Sequence, residues 1–197
     1  WYQNTIATFD VIQNRTMGVE PPRLKTRAGK ASPAAEPALR IRTVKAADMP
    51  AVVALDATVT GLHKAAYWQR VYRRYGIKGQ GERHFLVAES EGRVCGFVIG
   101  EVRDWEFGAP PCGWLFAIDV MPSARQGGVG GRLLSELAQR FRREGVQMMR
   151  TMTASNNSLI QSFFRSQGMR AGHLLPLEME IAAPADADAG AARRTRR

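Results

Sequence analysis

Ser123–Gly145, SARQGGVGGRLLSELAQRFRREG, sets four glycines, at 127, 128, 130 and 131, directly ahead of an amphipathic run. The apolar positions of that run recur with helical spacing, so the stretch predicts a helix over 128–144 with glycines at its mouth. A helix N-terminus presents unpaired N–H groups and partial positive charge. Glycine lets an anion approach such a backbone without a Cβ in the way, and Arg125 adds a fixed charge. The pattern therefore points to a phosphate or pyrophosphate. The spacing GxxxxGK[ST] is absent, because Arg132 and Leu133 follow the last glycine, and GxGxxG fails because its last position from Gly128 is Leu133.

Working outward, the flanking segments alternate strand and helix patterns. LRIRTVK (39–45) alternates as a strand, and AADMPAVVALD follows as a helix with Asp48 as its expected N-cap. HKAAYWQRVYRRYG (63–76) predicts a second helix, and HFLVAESEGRVCGFVIGEVRD (84–104) a hairpin turning at Ser90-Glu91-Gly92. GWLFAIDV (113–120) is a largely apolar strand. After the glycine helix come a strand at VQMMRTMT (146–153), a helix at NNSLIQSFFRSQG (156–168) and a closing strand at HLLPLEMEI (173–181). The order is that of an α/β layer protein with a mixed sheet.

Composition sets the outer limits. The chain has 197 residues, 45% of them apolar, which suits one globular domain with tails. Residues 1–39 are expected to form a flexible arm, 40–181 the domain and 182–197 a disordered basic tail. Residues 1–16, ahead of Met17, are given no role. No apolar run reaches the ~18 residues of a membrane span and no charged-then-apolar leader opens the chain, so a cytoplasmic protein is the expectation. The net charge is +10, but residues 1–40 hold six basic and three acidic residues, and 182–197 four and two. Half of the excess lies in these ends, which weakens the case for a nucleic-acid-binding body and suits a polyanionic ligand. Cys95 and Cys112 are too few for a disulfide framework, and the three histidines have no metal-ligand spacing, so no metal is expected.

Arg125, Gly128 and Gly130 form Arg-x-x-Gly-x-Gly, which resembles the acyl-CoA pyrophosphate loop of the GNAT N-acetyltransferase superfamily. Asn157, Phe164, Gly168 and Met169 stand in the register of the second half of that signature, and the resemblance spans roughly residues 40–181. It implies the GNAT fold: a mixed sheet of about six or seven strands and about four helices, with the fourth strand splayed from the fifth. It further implies acetyl-CoA as co-substrate. The backbone of Ile118, Asp119 and Val120 would hold the pantetheine arm, and the amides of Gln126, Gly127, Gly128, Val129, Gly130 and Gly131 the pyrophosphate beside Arg125. Asn157 would reach the pantetheine or cap its own helix, and Phe164 would lie beside the cofactor.

The departures bear on chemistry. Where the family often has an acidic tyrosine this chain has Phe164, and where some members have a glutamate it has Met152. Loss of a general acid slows such a reaction by ~10²–10⁴-fold without stopping it, and a thiol of pKa ~8.5 leaves tolerably as a thiolate. Without a strong base, low-pKa amines are favoured. Candidate proton carriers are Glu101 and Asp119 as bases and Tyr72, with Tyr67 and Tyr75, as replacement acids; His63 and His84 are weaker candidates. Trp68, Tyr72 and Tyr75 share a helix face that reads first as core packing, with Arg70, Arg73 and Arg74 around it. The expected activity is direct attack of a small-molecule or peptide amine on acetyl-CoA, with no covalent enzyme intermediate. The alternatives are an acetyl-CoA-binding module with little catalysis, or a ribosome- or nucleic-acid-associated protein acting through its tails. Dimers are common in such folds, and a homodimer stays open.

Overall fold

The computed structural model describes residues 39–77 and 82–181. The proposed arm, up to residue 38, and the basic tail at 182–197 lie outside the described residues. The elements run β1 (Arg40–Thr43), α1 (Met49–Thr60), α2 (Ala65–Val71), β2 (Arg83–Ser90), β3 (Arg93–Arg103), β4 (Cys112–Val120), α3 (Val129–Arg143), β5 (Met149–Arg150) and α4 (Ser158–Ser166). Five strands lie in sequence order in one sheet; β1 to β4 are antiparallel neighbours, and β4 pairs β5 in parallel. This is the kind of mixed α/β sheet that the resemblance implies, with five strands among the described residues where six or seven were expected.

The sheet separates two apolar layers. On one face, α3 buries Val129, Leu133, Leu134, Leu137 and Phe141, the stripe that helical periodicity predicts, against Leu86, Val98, Leu115 and Ile118. Ile160 and Phe164 of α4 join this layer. On the other face, α1 and α2 set Val52, Leu55, Trp68 and Val71 against Phe85, Val87, Phe97, Ile99 and Ala117. Trp68 is fully buried and touches Phe85 and Phe97. Its Nε1 donates to Asp56 Oδ2 at 2.9 Å, which satisfies the one polar atom it brings into the core.

Four local expectations change. The helix over 63–76 stops at Val71 and continues as a wider π-type turn, Tyr72–Gly76. The Tyr72 ring lies over Gly76, in the space a Cβ there would occupy. Asp48 sits at the N-cap of α1 without a side-chain cap bond. Its carboxylate instead accepts from Lys45 N–H at 2.7 Å and pairs with Arg42 at 2.6 Å, and that guanidinium holds Asp48 below the usual carboxylate range. The strand over 146–153 shrinks to Met149–Arg150. The segment 173–181 forms no strand, and Leu175, Leu177, Met179 and Ile181 stay exposed. Alternation alone does not make a strand: its N–H and C=O groups need a neighbouring edge, and this segment pairs with none of the described strands.

The Phe141 ring lies across the sheet where Gly100 and Gly113 leave room for it. A Cβ at Gly113 would fall on that ring, and one at Gly100 would stand 2.7 Å from Phe141 Cζ. Gly113→Ala should therefore cost about 1–3 kcal/mol by overpacking, read as a lower urea midpoint at unchanged slope.

Candidate functional site

The site begins with how little of β4 pairs with β5. Only Gly113 with Met149 and Trp114 with Arg150 are in register. Thr151 Oγ1 donating to Leu115 O at 3.0 Å is the last link, and β4 then runs on along β3 to Val120 without β5. Beyond that point the edge of β4 has no ladder partner among the described residues: the gap between β4 and β5.

Phe116 is an extra residue on β4, because Ile99 faces Ala117 while Gly100 faces Leu115. Such a bulge reverses which residues face each neighbour. Before it, Gly113 N–H donates to Met148 O at 2.9 Å, so Gly113 and Leu115 face β5. After it, Met121 N–H donates to Cys95 O at 2.9 Å, so Asp119 and Met121 face β3 and the backbone of Ile118 and Val120 faces the gap. Val120 O accepts Arg125 Nε at 3.2 Å, which folds the arginine onto the mouth of the gap. The side chains of Ile118 and Val120 pack in the α3 layer, while Asp119 points to the α1–α2 face.

Beyond β4, Pro122–Gly127 makes a tight 3₁₀ turn, and Gly128, at φ +69°, bends the chain into α3. Gly127 and Gly128 face open space, and Gln126 is exposed. Gly128, the N-cap of α3, has no side chain to offer the helix, and the N–H groups of Val129, Gly130 and Gly131 have no intrahelical acceptor. The four glycines divide their work. A Cβ at Gly130 would stand 3.1 Å from the Phe163 ring, and one at Gly131 would stand 3.0 Å from Gln167 Oε1. The second pair lets α3 and α4 approach; the first leaves the backbone bare. Val129 itself is buried in the core.

Asn157 Oδ1 accepts Ile160 N–H at 3.1 Å and caps α4. Phe164 is buried in the α3 layer, 5.2 Å from the Phe163 ring, and Met152 lies exposed beyond β5.

The opposite face of β4 carries the titratable groups. Asp119 is 4% exposed, and its Oδ1 has no hydrogen-bond partner among the described residues. Burial, then the nearby Asp56 charge, pushes its pKa up to about 7, against the opposing pull of Arg125 and Lys64. Asp56, also buried, is held by Lys64 Nζ at 3.0 Å and by Trp68.

Further along the sheet, Glu101 lies opposite Trp114 and is 6% exposed. Arg103 Nε stands 3.0 Å from Oε1; Arg83 Nε and Arg74 Nη2 stand 3.5 and 3.8 Å from Oε2. Tyr75 hydrogen-bonds to Glu101 and stacks on Phe116 at 5.6 Å. Burial first, then the Glu101 charge, pushes its phenol up to about 12, so it stays protonated. A cleft of about 700 Å³ opens here, lined by Arg74, Arg83, Glu101, Arg103 and the rim acids Glu82, Asp104 and Glu106.

Of the candidate proton carriers, Glu101 and Asp119 both lie on this face, whereas Tyr72 packs over Gly76 against the α1–α2 core. His84 pairs with Glu144 at 2.8 Å beside Phe141, on the α3 side, and His63 is exposed in the α1–α2 connection. Among the described residues no group of His, Cys, Asp and Glu could hold a metal ion. Sequence reading missed Asp56, Lys64, Arg83 and Arg103. Asp56 signals itself as a lone acid in the apolar run VVALD. Glu101 and Arg103 share a strand face, and hairpin register sets Arg83 opposite Glu101.

Comparison with known proteins follows the same outline. A curated relative, L-2,4-diaminobutyric acid acetyltransferase of Nocardia farcinica, is 31% identical over 87 residues, which spans 44% of this chain and 44% of that protein. An aminoglycoside N-acetyltransferase solved with CoA superposes with a TM-score of 0.66 at 19% identity, over 77% of this chain and all of the other. An aminoglycoside 6'-N-acetyltransferase of Acinetobacter baumannii gives 0.63 at 15% identity, over 74% of this chain and 100% of its own. A transcriptional regulator of Bacillus halodurans gives 0.63 at 18%, over 73% and 100%. At these identities the likeness is one of fold. The family model described as the acetyltransferase (GNAT) family matches residues 53–169, more than half of the sequence, and the chain belongs to that family.

Proposed function

We propose that the protein transfers an acetyl group from acetyl-CoA to a small amine by direct attack. The observation that carries this reading is the parting of β4 from β5, with the bare backbone of Gly127 and Gly128 in the turn that follows β4. An extended amide-bearing arm fits between strands that expose Ile118 N–H and C=O. A pyrophosphate fits the uncapped first turn of α3 beside Arg125. In the reaction the amine nitrogen bonds to the acyl carbon, the thiolate leaves with the electron pair of the C–S bond, and the amine gives up a proton.

Asp119 is the proton acceptor in this reading, directly or through water. A carboxylate raised to about 7 is poised to accept a proton near neutral pH. Glu101 has guanidiniums at both oxygens and is better suited to shaping the acceptor side. No phenol stands at Phe164 to protonate the leaving thiolate. That favours a second reading, an acetyl-CoA-binding module with little turnover. Thiol detection of CoA release across a panel of peptides, amino acids, polyamines and aminoglycosides separates the two. Release dependent on one acceptor class supports the enzyme; tight acetyl-CoA binding without release supports the module.

Two variants test the assignments. Arg125→Gln should weaken acetyl-CoA binding about 10- to 100-fold in calorimetric titration, because a charge-assisted contact is worth ~1.5–3 kcal/mol. Asp119→Asn should lower kcat/KM by ~10²–10⁴-fold and remove an inflection near pH 7. It also has a signature in stability. An acid whose pKa rises on folding binds its proton more tightly folded than unfolded. The stability this supplies is complete below the unfolded value of about 4 and is lost as pH climbs through 7. Urea unfolding from about pH 5 to 8 should therefore show the wild type losing more stability than Asp119→Asn, by at most about 3 kcal/mol.

A further inference from the structure

Two buried aspartates, Asp56 and Asp119, lie between the sheet and the α1–α2 pair, and the proposed transfer uses only one of them. Asp119 is the cross-strand partner of Phe97, and directly opposed strand residues present their side chains to the same face. The Phe97 ring meets the Trp68 indole edge to face at 5.0 Å. Trp68 Nε1 in turn donates to Asp56 Oδ2 at 2.9 Å, and Lys64 Nζ stands 3.0 Å from Asp56 Oδ1. Donors from α2 and its N-cap thus meet both oxygens of Asp56, and both contacts suit a carboxylate in its charged form. Asp119 Oδ1 has no hydrogen-bond partner among the described residues. The charged groups acting on Asp119 are Asp56 from α1, Lys64 from the N-cap of α2 and Arg125 from the turn after β4. The phenols of this layer are Tyr67, Tyr72 and Tyr75, from α2 and its π-type turn. The Asp56 charge opposes a second negative charge here, while Lys64 and Arg125 favour it. Two like charges in a desolvated layer raise the cost of ionising both.

We infer that Asp56, fixed by Lys64 and Trp68, is a positioning residue for the transfer: its charge, buried in the layer that holds Asp119, makes Asp119 the carboxylate that takes the amine's proton. This rests on the reading of Asp119 as proton acceptor and adds what governs that acceptor. The amine nitrogen bonds to the acyl carbon, the thiolate leaves with the C–S electron pair, and the proton passes from nitrogen to an Asp119 oxygen, directly or through water. Asp56 keeps its two donors and forms no bond in the step. Without the Asp56 charge, Asp119 ionises at lower pH and is a weaker base. Without the Lys64 charge it keeps its proton to higher pH. Asp56→Asn and Lys64→Gln therefore act in opposite directions, which a loss of packing does not do. Asn still offers Trp68 an acceptor, and Gln still offers Asp56 a donor.

The test follows kcat/KM against pH for the wild type, Asp56→Asn, Lys64→Gln and Asp119→Asn, using the amine of the panel that releases CoA fastest. In parallel, carbon-13 NMR titrates the side-chain carboxyls, with Asp119→Asn identifying the Asp119 signal, and acetyl-CoA affinity on each variant controls for folding. Asp56→Asn should move the Asp119 midpoint, and the acid limb of the rate profile with it, down by about half a pH unit or more. Its plateau at high pH should fall about two- to tenfold as the base weakens. Lys64→Gln should move both midpoint and limb up. Midpoints that stay in place, or that move the same way in both variants, overturn the inference and leave Asp119 standing as the base. A profile without a limb that Asp119→Asn removes, or no release to any amine, overturns that reading and the inference with it; the carboxyl titration tells this case from the first. If Asp56→Asn fails to bind acetyl-CoA, Lys64→Gln decides alone: an upward shift supports the inference, and an unmoved or lowered midpoint overturns it.

Discussion

One extra residue in a strand organises the molecule. Phe116 breaks the pairing of β3 with β4 between Ile99 and Gly100 and reverses the facing of the strand beyond it. Up to Leu115, β4 is tied to the β5 segment through Gly113 and the Thr151 hydroxyl; past the bulge it follows β3 alone. A parallel pair that parts in this way leaves backbone donors and acceptors facing a gap, and buried backbone groups demand partners. The strand holds that geometry because its other edge is laddered to β3 on both sides of the bulge and both faces are packed. In the proposed function, what would be a defect in a closed sheet serves as the slot for an extended, amide-bearing ligand.

The two faces of β4 carry unlike chemistry for a related reason. Ile118 and Val120 send apolar side chains into the α3 layer, where Phe141 fills the space left by Gly100 and Gly113. Asp119 and the bulge residue look toward α1 and α2. Burial there raises Asp119 toward neutrality, and Asp56 raises it further while Lys64 and Arg125 restrain it. Glu101 is equally buried but is met by three guanidiniums. Two carboxylates on one face thus occupy opposite environments. One is desolvated, with an oxygen that has no hydrogen-bond partner among the described residues, and the other is compensated. Such a contrast commonly separates a proton carrier from a charge that organises its neighbours.

How much of this was legible depended on sequence distance. The glycine turn and its helix are local, so Arg125, Gly128 and the apolar stripe from Val129 to Phe141 could be read directly. That Gly130 and Gly131 serve the approach of α4 could not, because their neighbours, Phe163 and Gln167, lie more than thirty residues away. The bulge is invisible in GWLFAIDV, and with it the facing of Ile118. The Glu101 cleft needs the register of the β2–β3 hairpin, which itself shifts between Ala88 and Glu89. The alternation in HLLPLEMEI misled for the converse reason: its pattern is sound, but no described strand edge receives it.

Hydrogen–deuterium exchange with and without acetyl-CoA tests the central claim most directly, because it reads the gap itself rather than the rate of a reaction. A ligand lying between β4 and β5 should slow exchange in peptides covering Ile118 to Val120 and the turn from Gln126 to Gly131, and leave the β1–β2 edge unchanged. Binding that protects another surface, or saturating acetyl-CoA that leaves both stretches exchanging as before, would contradict it.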